Sequence, residues 1–303
     1  MDKRNGSENW DEIENKLWEN LHPYLEEKKP CIVCKGTNFT SFAKQRYLDA
    51  LECQECFMIS VNPHFSSKGL ELLYSQYYSN KRTIDSKIKD DRKITYQIDK
   101  KFVENFVSSG SVLDIGCSGG EFLSVFEKDK WDREGVEIDP YAAEMAFKNY
   151  GIHVRVGHFI EMQIGKKYDL IMLRGVIEHF SDPINVLKKC SELLKPDGFL
   201  FITATPLGDS FAFNVYREKW VLFSALEHIH YFSLKHLNEI MGKFSLKYIS
   251  HNLQYIETPY ANYKEDYRKI IEDIIKINSG NGLDVKKSVP FPGSMLSCVW
   301  QKS

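Results

Sequence analysis

The chain has 303 residues, of which 43% are hydrophobic and 27% charged. This composition is enough for a sizeable core and excludes an intrinsically disordered chain. Forty Lys and Arg against 42 Asp and Glu give a formal charge of -2, so no overall basic field would recruit nucleic acid or an anionic membrane. The polar segment MDKRNGSENWDEIENK predicts no secretory signal, and no stretch reaches the roughly 18 apolar residues of a membrane span. We therefore expect a cytoplasmic protein.

The amino-terminal part combines a predicted helix over residues 8–21 with short β-type runs over residues 30–63. Two Cys-x-x-Cys pairs, 18 residues apart, lie in the β-type region: Cys31, Cys34, Cys53 and Cys56. In a reducing compartment such pairs indicate a metal site before they indicate disulfides, and four thiolates suit Zn²⁺. The ion would contribute folding free energy to a module too small for its own core. We predict a structural zinc ribbon; redox-active pairs or an iron–sulfur cluster are the alternatives.

The next part of the chain has helical period over residues 69–78 and 94–106, separated by a charged linker candidate at 80–93. After Gly110 strands and helices alternate regularly, with apolar strands that indicate a parallel sheet covered by helices on both faces. The predicted fold class is α/β, a Rossmann-like, doubly wound and mostly parallel sheet with a small amino-terminal zinc ribbon. The predicted division is 1–65 for the helix and ribbon, 66–110 for a helical linker or lid, and 111–303 for the α/β domain, with a helical insertion near 255–290.

In predicted order, the α/β domain begins with strand 111–116, helix 120–129, strand 133–139 and helix 140–151. Strands 152–156 and 168–175, helix 183–195 and strand 198–206 follow. The chain then continues with a helix near 233–243, a strand near 245–251, a helix at 262–277 and a β-rich run at 294–301.

The first strand-to-helix turn carries the ligand signal. Glycines stand where a chain must leave a strand sharply and let a ligand approach its backbone. The turn comprises Asp114, Gly116, Cys117, Ser118 and Gly119, and Glu137 follows at the tip of the second strand. Glu137 can accept both hydroxyls of a ribose, whereas the charge of Asp114 suits an amino-bearing ligand better than a pyrophosphate. The order Gly-x-x-Gly-Gly also differs from the dinucleotide fingerprint Gly-x-Gly-x-x-Gly.

Four ordered motifs resemble those of the class I S-adenosylmethionine-dependent methyltransferases: VLDIGCSGGEFL, EGVEIDP, YDLIMLRGVIEHFSDP and LLKPDGFLFITATP. The resemblance covers roughly residues 94–251 and implies S-adenosylmethionine as cofactor. It places Gly116, Ser118 and Gly119, with Asp114 and Cys117 in the same turn, along the methionine portion. Glu137 would hold the ribose and Ile138 would face the adenine.

Two further groups of residues join the predicted cofactor site. His158 and Phe159 stand where family members often have an acid, and would contact the adenine by ring edge or backbone. Arg174, at the tip of the fourth strand, is included with the cofactor-binding residues. It could instead reach a phosphate or carboxylate of the acceptor, or pair with Glu178.

The acceptor is suggested by the amino-terminal module. Its cysteine pairs, Asn62-Pro63 and a Tyr-rich helix resemble the module of bacterial methyltransferases from sugar and surface-polysaccharide pathways, where it helps to cover the acceptor site. The resemblance implies O-methylation of a nucleotide-linked sugar, a glycan or a related small metabolite.

Three histidines are candidate catalytic residues. His179 follows the fourth strand, at the edge where ligands of open α/β sheets bind, and is a candidate general base. His228 and His230 lie after the fifth strand and would share one face if the segment were extended. The competing interpretations are a structural histidine at 179 and, for His228 and His230, a capping loop before the helix that begins at Ser233-Leu234.

Two other functions remain open. Small-RNA 3′-terminal 2′-O-methyltransferases hold a divalent ion with Glu-x-x-Glu-His and a later His, and Glu178, His179 and His228 or His230 resemble that set. The first carboxylate position is Gly175, however, and the near-neutral charge argues against nucleic acid as a partner. A non-catalytic zinc-ribbon interaction protein is the second alternative. The sequence does not indicate an oligomeric state.

Overall fold

The computed structural model describes residues 10–74 and 86–303 of the chain. None of the helices in these two ranges is long and apolar enough to cross a bilayer. The helices are α1 (Trp10–Leu21), α2 (Ser67–Leu73), α3 (Ser86–Val103), α4 (Glu121–Ser124), α5 (Pro140–Tyr150), α6 (Pro183–Leu193), α7 (Phe211–Tyr216), α8 (Leu234–Gly242) and α9 (Tyr263–Asn278). The strands are β1 (Phe39–Gln45), β2 (Leu48–Cys53), β3 (Ile59–Val61), β4 (Gly110–Ile115), β5 (Trp131–Glu137), β6 (His153–Val156), β7 (Tyr168–Arg174), β8 (Leu194–Pro206), β9 (His230–Tyr231), β10 (Leu246–Asn252) and β11 (Met295–Lys302).

A seven-stranded sheet forms the centre of the α/β domain, in the order β10-β11-β8-β7-β4-β5-β6. Strands β4 to β8 pair in parallel, whereas β11 runs antiparallel to both β8 and β10. Alternate residues of β4 enter different cores: Leu113 packs with residues of α6 and α8, and Val112 packs with Val103 and Phe122 on the other face. This confirms the predicted doubly wound, mostly parallel α/β fold.

Two local predictions differ from the structure. The helix predicted over 120–129 is only α4, because the Ser124 hydroxyl donates 2.7 Å to the Glu121 carbonyl and competes with continuation of the helix. The linker predicted over 80–93 is helical from Ser86 onward as part of α3. The remainder of that linker and the end of the helix predicted over 69–78 lie outside the described residues.

The amino-terminal module forms a second, antiparallel sheet in the order β1-β2-β3-β9. Its edge strand β9 comes from the carboxyl-terminal part of the chain and pairs Tyr231 with Ile59 and His230 with Ser60. One hydrophobic core joins Trp18 and Phe42 of the module to Phe213 and Trp220 that follow β8. The module is therefore built into the α/β domain along the side that carries β9.

The predicted helical insertion near 255–290 contains α9. Ile270 is buried in the core shared with the amino-terminal module. The hydroxyl of Tyr216 on α7 donates 2.9 Å to Asp273 on α9. The insertion thus packs on the same side of the molecule as the ribbon.

Candidate active site

The turn between β4 and α4, residues 116–120, is called the cofactor turn here. Gly116, Ser118 and Gly120 all have positive φ, at 72°, 49° and 78°. A Cβ on Gly116 would lie 2.8 Å from Cγ2 of Val176, so this position needs glycine for both its backbone conformation and its close contact. The contact places the loop after β7 directly beside the cofactor turn.

Glu137 ties the ends of two neighbouring strands together. Its Oε2 accepts a hydrogen bond, 2.9 Å long, from the backbone N–H of Ser118 in the cofactor turn. Its Oε1 accepts hydrogen bonds from the backbone N–H of Ile138, at 2.7 Å, and from that of Asp139, at 3.0 Å. Backbone amides therefore fix the carboxylate at the carboxyl edge of the sheet, the edge at which ligands of open α/β sheets bind.

Asp114 lies beneath the cofactor turn with only 2% of its surface exposed. Its Oδ1 is buried and has no hydrogen-bond partner among the described residues. Burial raises the pKa of Asp114 to about 8; the charge of Arg174 opposes this rise and that of Glu137 adds to it. A buried acid with an unsatisfied oxygen suits a ligand that brings an amino group, so the site fits S-adenosylmethionine.

Arg174 is engaged by a residue that the sequence analysis did not identify. Its Nε donates 2.8 Å to Asp99 on α3, and its guanidinium lies 4.6 Å from the ring centroid of Tyr96. Asp99 is 1% exposed and also accepts from the hydroxyl of Thr203 at 2.6 Å. The ion pair of Arg174 is thus with Asp99 rather than with Glu178, and it connects α3 to the end of β7.

The loop after β6 provides the predicted adenine side. Ile138 is 38% exposed at the end of β5, and His158 is also exposed. Phe159, in contrast, is buried in the core, so its ring does not lie at the surface beside His158. Lys189 on α6 holds this loop: its Nζ donates to the carbonyls of Phe159, Ile160 and Met162 at 2.5, 2.9 and 2.6 Å.

Glu178, His179 and His228 form what we call the histidine cluster. One ligand atom from each side chain lies within 4.8 Å of the others. The two imidazole centroids are 5.0 Å apart, and Nε2 of His179 is 3.9 Å from Oε1 of Glu178. The Ile229 N–H donates 2.8 Å to the Glu178 carbonyl, which holds the segment carrying His228 against the end of β7.

His230 does not belong to this cluster, and the extended conformation in which it would share a face with His228 is not formed at His228. Strand β9 begins at His230, whereas His228 follows the turn at residues 225–227. His230 is 3% exposed, and its Nδ1 is 3.0 Å from the hydroxyl of Ser60 on β3. Burial lowers its pKa to about 3.

The four cysteines of the two Cys-x-x-Cys pairs converge as predicted. Sγ of Cys31 is 3.5 Å from Sγ of Cys56, and Sγ of Cys34 is 3.5 Å from that of Cys53. These distances are far too long for a disulfide but close to the edge, about 3.8 Å, of a tetrahedron with 2.3 Å metal–sulfur bonds. The donor set therefore fits one Zn²⁺ ion.

A family model described as a methyltransferase domain matches residues 90–251. The matched segment covers more than half of the chain and includes the cofactor turn, Glu137 and the histidine cluster. The chain belongs to this methyltransferase family. The match and the sheet topology confirm the class I, S-adenosylmethionine-dependent methyltransferase fold predicted from the four motifs.

Individual relatives match over a shorter range. The ubiquinone biosynthesis O-methyltransferase of Histophilus somni is 29% identical over 110 residues, which are 33% of this chain and 46% of that protein. That of Bordetella avium is 29% identical over 124 residues, 37% of this chain and 49% of that protein. The chain thus spans about half the length of these curated relatives.

Solved structures share the fold. The 1,6-didemethyltoxoflavin-N1-methyltransferase of Burkholderia thailandensis, solved with S-adenosylhomocysteine, superposes with a TM-score of 0.54 at 13% identity, covering 88% of this chain and all of that one. An S-adenosylmethionine-dependent methyltransferase of Thermotoga maritima gives 0.51 at 17% identity, covering 77% and 100%.

Proposed function

We propose that the protein transfers a methyl group from S-adenosylmethionine to a hydroxyl of a small polar acceptor: a nucleotide-linked sugar, a glycan or a related metabolite. The observation that carries the proposal is the position of the histidine cluster. The contact between Gly116 and Val176 sets the cofactor turn beside the loop that leads into Glu178 and His179. Groups able to activate a hydroxyl thus lie next to the cofactor site.

The cofactor-binding roles follow from the contacts described above. Asp114 would accept a hydrogen bond from the amino group of the methionine portion. That portion would lie along Gly116, Cys117, Ser118 and Gly119. Glu137, held by backbone amides, would accept the ribose hydroxyls. The adenine would lie between Ile138 and the backbone of His158 and Phe159, with Arg174 and its Asp99 partner below the methionine portion.

His179 and His228 would activate the acceptor. Nδ1 of His179 hydrogen bonds to the carbonyl of Glu227 at 2.7 Å, and Nδ1 of His228 to that of Leu222 at 3.0 Å. A carbonyl only accepts, so each ring donates from Nδ1, which leaves Nε2 of His179 as the nitrogen that can accept a proton. The cofactor supplies an electrophilic methyl group on sulfur; the acceptor oxygen bonds to it as the C–S bond breaks, and Nε2 is the atom that can take up the hydroxyl proton.

A hydroxyl acceptor and a sugar-type molecule have separate support. The relatives named as O-methyltransferases support oxygen as the acceptor atom and a small molecule as the substrate. The resemblance of the cysteine module to that of sugar methyltransferases supports a sugar. The pairing of β9 with β3 connects the module to the segment that carries His228, as a structural zinc ribbon that covers the acceptor site would require.

Transfer of radiolabelled methyl from S-adenosylmethionine to panels of nucleoside-diphosphate sugars, catechols and short RNAs tests the proposal. We expect labelling of a sugar-type acceptor, and a loss of at least about 100-fold in turnover for His179→Ala or His228→Ala with unchanged cofactor affinity. The exposed His153 provides the matched control, His153→Ala. Absence of S-adenosylmethionine binding in calorimetry would contradict the proposal and favour a non-catalytic interaction protein.

An RNA acceptor is the alternative that one observation favours, because the histidine cluster matches part of the metal-binding set of small-RNA methyltransferases. An RNA enzyme requires phosphate contacts and hence a steep loss of affinity with added salt. A filter-binding titration between 50 and 200 mM salt distinguishes the two, since a sugar methyltransferase of near-neutral charge would show no such slope.

A further inference from the structure

Helix α9 carries an apolar stripe that residues 10–74 and 86–303 leave uncovered. Four of its side chains, spaced four residues apart, are roughly half exposed: Tyr263 (50%), Tyr267 (45%), Ile271 (58%) and Ile275 (59%). Residues four apart are neighbours on one side of a helix, so these side chains form a continuous surface, which we call the α9 stripe. Single exposed apolar residues are common, but a continuous row of them on a helix indicates a surface that binds a partner.

The α9 stripe is separate from the face that holds the helix in the fold. Ile270 is buried in the core shared with the amino-terminal module, and Ile274 and Ile277 pack against that core. On the same inner face Asp273 accepts a hydrogen bond, 2.9 Å long, from the hydroxyl of Tyr216. Because the inner face anchors the helix, the stripe is a preformed surface.

Aromatic rings continue the apolar surface beyond α9. The ring centroid of Phe291 lies 5.9 Å from that of Tyr267 and 5.6 Å from that of Phe211. Phe211, the first residue of α7, is 50% exposed. The surface thus draws on three segments of the chain, and aromatic side chains of this kind are enriched where proteins associate.

We propose that the α9 stripe binds the α9 stripe of a second copy of the chain, with the two helices antiparallel. In such a twofold arrangement every contact between two residues occurs twice, with the copies exchanged. A register that sets Tyr267 against Ile271 of the second copy also sets Tyr263 against Ile275 of the second copy. Each of these contacts pairs an aromatic ring with a branched aliphatic side chain, and the dipoles of the two helices oppose each other.

The charges beside the stripe agree with this register. Arg268 and Glu272 lie along the edge of the stripe that faces away from the core, with side chains 62% and 50% exposed. In the antiparallel pair, Arg268 comes opposite Glu272 of the second copy, displaced by about 3 Å along the helix axis. The reverse pair forms by symmetry. One surface therefore supplies both members of two ion pairs between the copies, the self-complementarity that a twofold dimer requires.

Sedimentation equilibrium of the full chain tests the proposal without reference to methyl transfer. We expect a monomer–dimer equilibrium with a dissociation constant in the micromolar range. Ile271→Asp should weaken the dimer at least about tenfold, because it places a carboxylate from each copy in the apolar contact. Phe147→Asp is the matched control, because Phe147 on α5 is similarly exposed, at 54%, and lies outside the stripe. This variant should dimerise like the wild type.

Two charge reversals test the antiparallel register. Arg268→Glu and Glu272→Arg should each weaken the homodimer, since each variant opposes like charges between the copies. An equimolar mixture of the two variants should form a heterodimer with nearly the wild-type affinity, because both ion pairs between the copies are then restored. A folding defect in either variant would not produce this recovery.

Three results would overturn the proposal: a wild-type chain that sediments as a monomer at about 100 μM, a dimer that Ile271→Asp leaves unchanged, or a mixture of charge-reversed variants without recovery. The melting midpoint of each variant shows whether the fold is retained. Binding of S-adenosylmethionine is measured separately, so a chain that does not dimerise leaves the proposed function standing.

Discussion

Gly135 on β5 lies directly against Cys117 of the cofactor turn. A Cβ built on Gly135 would be 2.4 Å from Sγ of Cys117 and 3.1 Å from Cγ2 of Val154 on β6. Because Cys117 is 4% exposed, its side chain has little room to move away. The spacing between β5 and the cofactor turn therefore depends on glycine, which has no side chain, at position 135.

Gly135→Ala should lower stability by about 1–3 kcal/mol through overpacking and weaken S-adenosylmethionine binding by displacing the turn. Thermal unfolding and calorimetry measure the two effects. Cys117→Ala removes the nearest atom, so the double variant should regain part of both losses. Equal losses in the single and double variants would show that the contact with Cys117 is not the cause.

The raised pKa of Asp114 predicts a pH-dependent cofactor affinity. Burial keeps this acid protonated in the free protein below about pH 8, whereas a positively charged amino group favours its ionised form. Binding should therefore release a proton, and the dissociation constant should fall about tenfold per pH unit between pH 6 and 7.5. Calorimetry in buffers of different ionisation enthalpy counts the protons; Asp114→Asn should abolish the dependence, and the exposed Asp132→Asn should not.

The parallel core and the place of Glu137 at the end of β5 were predictable because their signals are local. Apolar runs mark each strand, and the glycine turn with a following acid lies within 24 residues of sequence, from Asp114 to Glu137. The backbone amides that fix Glu137 belong to those same segments. The cysteine pairs were equally readable because their spacing carries the information.

The residues that the sequence analysis missed depend on long-range contacts. Nothing in the pattern of α3 distinguishes Asp99 from its other acids until β7 brings Arg174 beside it, 75 residues later. The burial of His230 could not be read from the sequence, because the two-residue strand β9 forms only by pairing with β3, about 170 residues earlier in the chain. Lys189 lies in an ordinary amphipathic helix, and its three carbonyl partners come from another loop.

Lys189→Met should weaken S-adenosylmethionine binding about tenfold. The methionine retains the aliphatic stem but leaves the carbonyls of the loop after β6 without their donor, which costs about 1–3 kcal/mol of local stability. Calorimetry measures the affinity. Lys188→Met is the control. Lys188 is exposed, and among the ion pairs of the described residues it contacts only Glu192, at 3.9 Å. This variant should bind the cofactor normally; an equal loss of affinity would point to a general effect of charge.

Elemental analysis should find about one zinc ion per chain bound at the four cysteines, and Cys34→Ser should lose it. Cys34 is exposed, so the substitution itself removes little packing. Loss of the ion should cost several kcal/mol and lower the melting midpoint by about 10 °C. Cys117→Ala serves as the control, because it should keep its zinc; a metal-free wild type that melts normally would exclude the structural zinc.

His64 should make the protein less stable as the pH falls. Burial lowers the pKa of His64 to about 3 in the folded protein, from 6.5 in the unfolded chain. Between these two pH values the imidazole is therefore protonated only in the unfolded chain. The free energy of unfolding should therefore drop by about 1.4 kcal/mol per buried histidine from pH 7.5 to 5.5. Urea unfolding at the two pH values measures the difference. His64→Phe should reduce it by that amount, whereas His153→Gln, at an exposed position, should leave it unchanged; a wild-type difference that persists in His64→Phe would assign the pH dependence to other groups.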